Sequence, residues 1–141
     1  MLKLASMMKE DLELLYARAN GYLANGSPGM AENLYNKILS LGETGAAIDP
    51  ETEADVLHNL GMIAEERLNF DLAIDYYQKA VTLNKQRSMT WLFLAKLLLN
   101  RFERLQSKLD LKAGLEAVAQ AEANNSHYPV IRLLKEKYKP S

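Results

Sequence analysis

The sequence predicts an all-α fold of stacked helical hairpins, on three observations. First, between Ala54 and Arg87 the residues Leu57, Leu60, Gly61, Ala64, Phe70, Ala73, Tyr77 and Ala80 recur at intervals of three, four and seven, which places small or apolar groups along one face of a helix. Second, that pattern breaks once, at Leu68-Asn69-Phe70-Asp71, a turn in which Asp71 reads as the N-cap of the next helix. Third, comparable patterns flank this segment on both sides. Two short amphipathic helices in about 34 residues form a hairpin that cannot bury its apolar face alone, so neighbours must stack on it.

In chain order, residues before about Lys9 read as a frayed start. From Glu10 to Ala24, Leu12, Leu15, Ala19 and Tyr22 share one helical face. Asn25-Gly26-Ser27-Pro28-Gly29 is a turn: Gly26 suits the left-handed position that closes a helix, and Ser27-Pro28 suits the N-cap and first position of the next. That helix stops near Gly42. Residues 42–49, with two glycines, read as an inserted surface loop. Asp49-Pro50-Glu51 restarts a helix with acidic groups at its positive end.

The third unit opens at Ser88, read as its N-cap, with Trp91, Leu94, Ala95 and Leu98 on the packing face and Phe102 and Leu105 extending it. Ser107-x-x-Asp110 matches a capping box, and Gly114, Val118 and Ala121 form the packing face of the helix it opens. After Asn124-Asn125-Ser126, Tyr128-Pro129 begins a last helix carrying Val130, Ile131, Leu133, Leu134 and Tyr138 against Arg132, Lys135, Glu136, Lys137 and Lys139, a charged face suited to closing an exposed end.

The 54–87 segment resembles a tetratricopeptide repeat. Leu57 stands at the usual Trp position, followed by Leu60-Gly61, Ala64 in place of the usual Tyr, then Ala73, Tyr77 and Ala80, while Lys85 replaces the closing Pro. The resemblance implies a single domain over 1–141, a right-handed α-solenoid with repeats at about 12–45, 54–87 and 88–128 and a capping helix at 129–139. The packing residues have a physical reason: Gly61 inside a helix costs about 1 kcal/mol relative to alanine, so two helices are expected to approach closely there. Ala73 and Ala80 would oppose it.

Composition narrows the function. A formal net charge of −1 leaves no polyanion footprint, so no nucleic-acid partner is expected. There is no cysteine, which removes thiol chemistry and cysteine-bound metals. The two histidines, His58 and His127, fit no metal-spaced pattern, and no glycine-rich phosphate loop precedes a helix. No catalytic residue, cofactor or metal is therefore expected, and the chain reads as a non-enzyme. The N-terminal stretch lacks a signal-peptide pattern, and the most apolar run, Trp91 to Leu99, is too short to span a bilayer and contains Lys96. Membrane insertion is not expected, and a cytoplasmic location is.

The resemblance also implies a concave groove lined by the first helix of each hairpin. Its positions here are Tyr16, Ala17, Asn20, Leu23 and Ala24; then Asp55, His58, Asn59, Met62, Glu65 and Glu66; then Met89, Leu92, Phe93, Lys96, Leu99 and Asn100. Co-chaperones of the family grip a terminal carboxylate with Lys, Asn, Asn, Lys and Arg. Asn20 and Asn59 match the two asparagines, but Tyr16, Met89 and Phe93 replace the three cations, so the charge-assisted partners of a carboxylate are missing. What replaces them is apolar. A helix apolar nearly all round must be covered on both sides: by the chain itself, by a partner's segment, or by a second copy. The expected partner is a protein or peptide. Tyr16, Asn20, His58, Asn59, Met62, Met89, Leu92, Phe93, Lys96 and Leu99 are the candidate contacts, Phe93 the anchor, and a homodimer through the same face the alternative.

Overall fold

Among the described residues, seven helices follow one another in three antiparallel hairpins and a closing helix: α1 (Leu2–Ala24) with α2 (Pro28–Glu43), α3 (Pro50–Glu66) with α4 (Phe70–Leu83), α5 (Ser88–Leu105) with α6 (Lys108–Asn124), then α7 (Pro129–Lys137). The computed structural model describes residues 2–125 and 127–139, with side chains from Lys9 onward; α6 ends at Asn124, within the expected Asn124-Asn125-Ser126 stop, of which Ser126 lies outside the described residues. Each helix packs on its hairpin mate, and α2 meets α3, α4 meets α5 and α6 meets α7 at the seams.

The hairpins close on small residues. A β-carbon added at Gly61 would lie 2.4 Å from Cε1 of Tyr77, whose ring is fully buried. In the third hairpin the pairing is inverted: a β-carbon at Gly114 on α6 would lie 2.7 Å from Cγ of Leu99 on α5. Ala73 and Ala80 are fully buried. Two main apolar clusters result. One joins Leu12, Ala19, Tyr35 and Ile38 to Val56, Leu60 and Ile63 of α3. The other runs from Ala64 and Tyr77 through α5 and α6 to Ile131 of α7.

Several local expectations change. The start is not frayed, since α1 is helical from Leu2. The N-cap of α4 is Asn69 rather than Asp71; Asp71 sits inside the helix and pairs with Arg101 at 3.0 Å. Ser88 is the first residue of α5, capped by Arg87, and its hydroxyl donates to the Ala121 carbonyl at 2.6 Å. Half of the capping box forms: Ser107 Oγ accepts the Asp110 N–H at 3.4 Å, but the Asp110 carboxylate binds the Arg101 guanidinium in bidentate fashion, at 2.8 and 2.9 Å. A full-strength cation outcompetes a backbone N–H for it. The 42–49 stretch is not a plain surface loop. Gly42 and Glu43 belong to α2, Ile48 folds back against Gly42, and Ala46 is buried in the first cluster. Trp91, expected in the core, is only partly buried, with its indole N–H donating to the Lys85 carbonyl at 2.9 Å. The turn at Gly26 takes the positive φ expected, 77°.

Helix α7 buries Ile131 but leaves Leu133 exposed. It is fastened by Lys135 to Glu122 at 3.1 Å and by the Tyr138 hydroxyl to Glu103 at 2.8 Å.

Candidate functional site

Helices α1, α3 and α5 lie side by side as the first members of the three hairpins, and their shared face carries a chain of polar contacts. Tyr16 OH donates to Asp55. The same carboxylate accepts from Arg87 at 3.1 Å. Arg87 Nε donates to Thr90 Oγ1 at 3.0 Å, and Thr90 lies 2.9 Å from Nδ1 of His58. A hydroxyl that accepts from Arg87 can still donate to or accept from Nδ1, so this contact holds in either neutral tautomer of the imidazole. All three hairpins thus share one network.

Asn20 and Asn59 do not form an open clamp. Tyr35, fully buried on α2, donates its hydroxyl to Asn20 Oδ1 and accepts from Asn59 Nδ2 at 3.0 Å. The two amides tie α1, α2 and α3 at the first seam. Burial pushes the Tyr35 hydroxyl up to about 12, so it acts as a neutral donor and acceptor.

His58 is 5% exposed, so it supports the face from below rather than lining it. Its ring lies 5.4 Å from that of Tyr77 and 5.2 Å from that of Phe93. Burial first, and the Arg87 charge second, hold its pKa down at about 4 against an ordinary 6.5, with Asp55 opposing. A base with a depressed folded pKa binds its proton in the unfolded chain first. Its contribution is therefore complete above pH 6.5 and is lost as pH falls toward 4. Moving from pH 7.5 to pH 5 should cost about 2 kcal/mol of unfolding free energy, read from urea titrations. His58→Gln should flatten that slope; an unchanged slope in the variant would assign the acid sensitivity elsewhere.

The apolar candidates divide. Leu92 is 5% exposed and Leu99 only 1%; both are core residues, which corrects their assignment to the groove. Helix α5 lies between α4 and α6, and both flanks are covered. What stays open is the stripe Met89, Phe93, Lys96 and Asn100, spaced by three and four residues along one line of the helix. Leu92 and Leu99 lie about 70–90° off that line. Phe93 is partly buried, edge-on to Tyr77 with ring centres 5.8 Å apart, and with Met62, Glu65 and Glu66 it lines a cavity of about 190 Å³. Met89, 46% exposed, lies instead in a separate depression with Arg87, Asn124 and Tyr128. Tyr16 borders another, with Lys9, Ile48 and Thr52. The open face is thus a small aromatic pocket between α3 and α5 with a polar seam toward α1.

Arg87 and Thr90 escaped the sequence reading. Thr90 stands 34 residues after Val56, a core position of the preceding unit. A polar residue at a core position needs a partner, and that was the available signal.

Among the described residues no group of three or more potential ligands could hold a metal ion, and no helix is long and apolar enough to cross a membrane.

Residues 54–86 match the family model of the tetratricopeptide repeat. No curated protein matches. Among solved structures, the chain is similar to the Yersinia enterocolitica type III secretion chaperone SycD in complex with a peptide of the translocator YopD, at 19% identity and TM-score 0.63, covering 92% of this chain and 87% of that one. It is also similar to MamA, at 19% identity and TM-score 0.68 over 96% of this chain and 72% of the other, and to a type III secretion complex from Aeromonas hydrophila, at 19% and 0.62 over 92% and 76%. At such identities these likenesses speak for the fold. Residues 54–86 thus form a tetratricopeptide repeat, and the superhelix of paired helices around it shares the fold of these solved structures.

Proposed function

We propose that this protein binds a segment of a partner polypeptide across the α1–α3–α5 face, with Phe93 and Met62 as the apolar anchor. The carrying observation is the pocket itself: an aromatic ring held edge-on by a buried tyrosine, yet left open on the side away from the core. Aromatic side chains placed in this way dominate interface energetics, and helical grooves of this type accept extended or helical segments. A protein of the same fold, SycD, has been solved with a peptide of a translocator, which supports a peptide as the class of ligand here. The sequence-based contacts reduce to Phe93, Met62 and Lys96, with Asn59, Asn20 and Tyr16 along the polar seam; His58 serves by holding the ring of Phe93.

Phe93→Ala is expected to weaken partner binding by more than about 1 kcal/mol, measured by titration calorimetry with a captured partner. Its cost to the free chain should stay well below that of truncating the buried Tyr77. Equal destabilisation by the two would make Phe93 a core residue and remove the anchor. Light scattering of the pure protein provides the second arm: a dimer abolished by Phe93→Ala would assign the face to a second copy of this chain.

A further inference from the structure

The pocket at Phe93 has chemistry beyond its apolar wall. Its volume of about 190 Å³ lies below the roughly 300–1,000 Å³ of small-molecule sites, so it suits one long side chain. Two of its four lining residues are carboxylates, Glu65 and Glu66. They are adjacent in sequence and about 100° apart around α3, yet both reach this pocket. Glu65 is fixed in place: its Oε1 accepts the Tyr77 hydroxyl at 3.0 Å, and Tyr77 also holds Phe93 edge-on. One tyrosine therefore sets the spacing between a carboxylate and an aromatic ring.

Among the described residues neither carboxylate has a cationic partner within ion-pair distance. The neighbouring cations are paired with other carboxylates, though the Glu66 charge still acts on Arg67 from beyond ion-pair distance. Arg67 pairs with Glu32 at 2.7 Å and Arg87 with Asp55 at 3.1 Å, and burial keeps His58 neutral. Lys96, one turn beyond Phe93 on α5, is exposed and is the one basic side chain on that stripe.

We propose that the occupant of this pocket is a basic side chain, Lys or Arg, of a partner segment that also carries a large apolar residue nearby. Its methylene stem would lie against Phe93 and Met62 while its head group reaches Glu65 Oε2 and Glu66. A cation within about 6 Å of the ring gains a further attraction from the π face. Acidic segments and free terminal carboxylates are rejected by the same two groups. This inference rests on the peptide-binding reading above and names the chemistry of its ligand.

The test is a selection of displayed random peptides on the full chain, followed by fluorescence polarisation with the selected sequences. Selected peptides should be enriched in Lys or Arg beside a large apolar residue. Glu65→Gln/Glu66→Gln, which retains the acceptor for Tyr77, should weaken them about tenfold or more without lowering the melting temperature. Glu66→Gln alone, at an exposed position, should give part of that loss, and Lys96→Gln should tighten binding. Peptides that need Phe93 but show no basic enrichment and ignore both glutamine variants would overturn the cation assignment and leave the groove standing. A selection yielding nothing that depends on Phe93 would remove both.

Discussion

Tyr77→Ala should lower the free energy of unfolding by about 3–5 kcal/mol, against the 5–15 kcal/mol typical of a whole domain. The ring is fully buried, fills the space left by the absent side chain of Gly61, braces His58 and Phe93, and orients Glu65 through its hydroxyl. The hydroxyl stays protonated, because burial and then the Glu65 charge push its pKa far above the ordinary value. Gly61→Ala approaches the same joint from the other side. Its new carbon would meet the ring at 2.4–3.0 Å, and the ring has no free direction, so overpacking should cost about 1–3 kcal/mol despite alanine's better helix propensity. Urea unfolding of both variants checks this. A Gly61→Ala protein more stable than the parent would show that the ring can slide.

Leu99→Ala should cost about 2–5 kcal/mol, although sequence position alone puts Leu99 on the open face. The side chain is 1% exposed and lies across Gly114. Gly114→Ala alone should overpack by about 1–3 kcal/mol. The double variant should be less damaged than the sum of the two, because the added methyl enters the space the leucine vacates. A coupling of at least about 0.5 kcal/mol is expected of residues in contact; strict additivity would show that α5 and α6 do not meet through this pair.

These two residues also mark how far the sequence could be read. Tyr77, Gly61, Ala73 and Ala80 were legible because their helix pair follows the period of its family without insertion, and periodicity alone assigns their face. Leu99 and Leu92 were misassigned because α5 is apolar on nearly all sides. Periodicity cannot tell a side covered by α4 or α6 from one left open, since burial by a neighbouring element leaves no local mark. Trp91 erred in the opposite sense: its indole N–H needs an acceptor and finds one at the rim, at the Lys85 carbonyl. The caps misjudged by one or two residues at Asp71 and Ser88 reflect side chains drawn into contacts distant in sequence, with Arg101 and with the Ala121 carbonyl. The pocket carboxylates were legible as groove positions, but their shared orientation needed the packing of Tyr77.

The Asp55 carboxylate is held on one side by Tyr16 of the first hairpin and on the other by Arg87, at the entrance to the third. Solenoids are close to one-dimensional systems in which each unit senses only its neighbours, and they fray from their ends. A shared carboxylate relaxes that rule. When the first hairpin loosens, Asp55 loses a donor, and the anchor of Arg87 and, through Thr90, of His58 loosens with it. Fraying at one end of the array thus reaches the base of α5, two units away, making the three hairpins melt more nearly as one body than their separate apolar clusters would on their own.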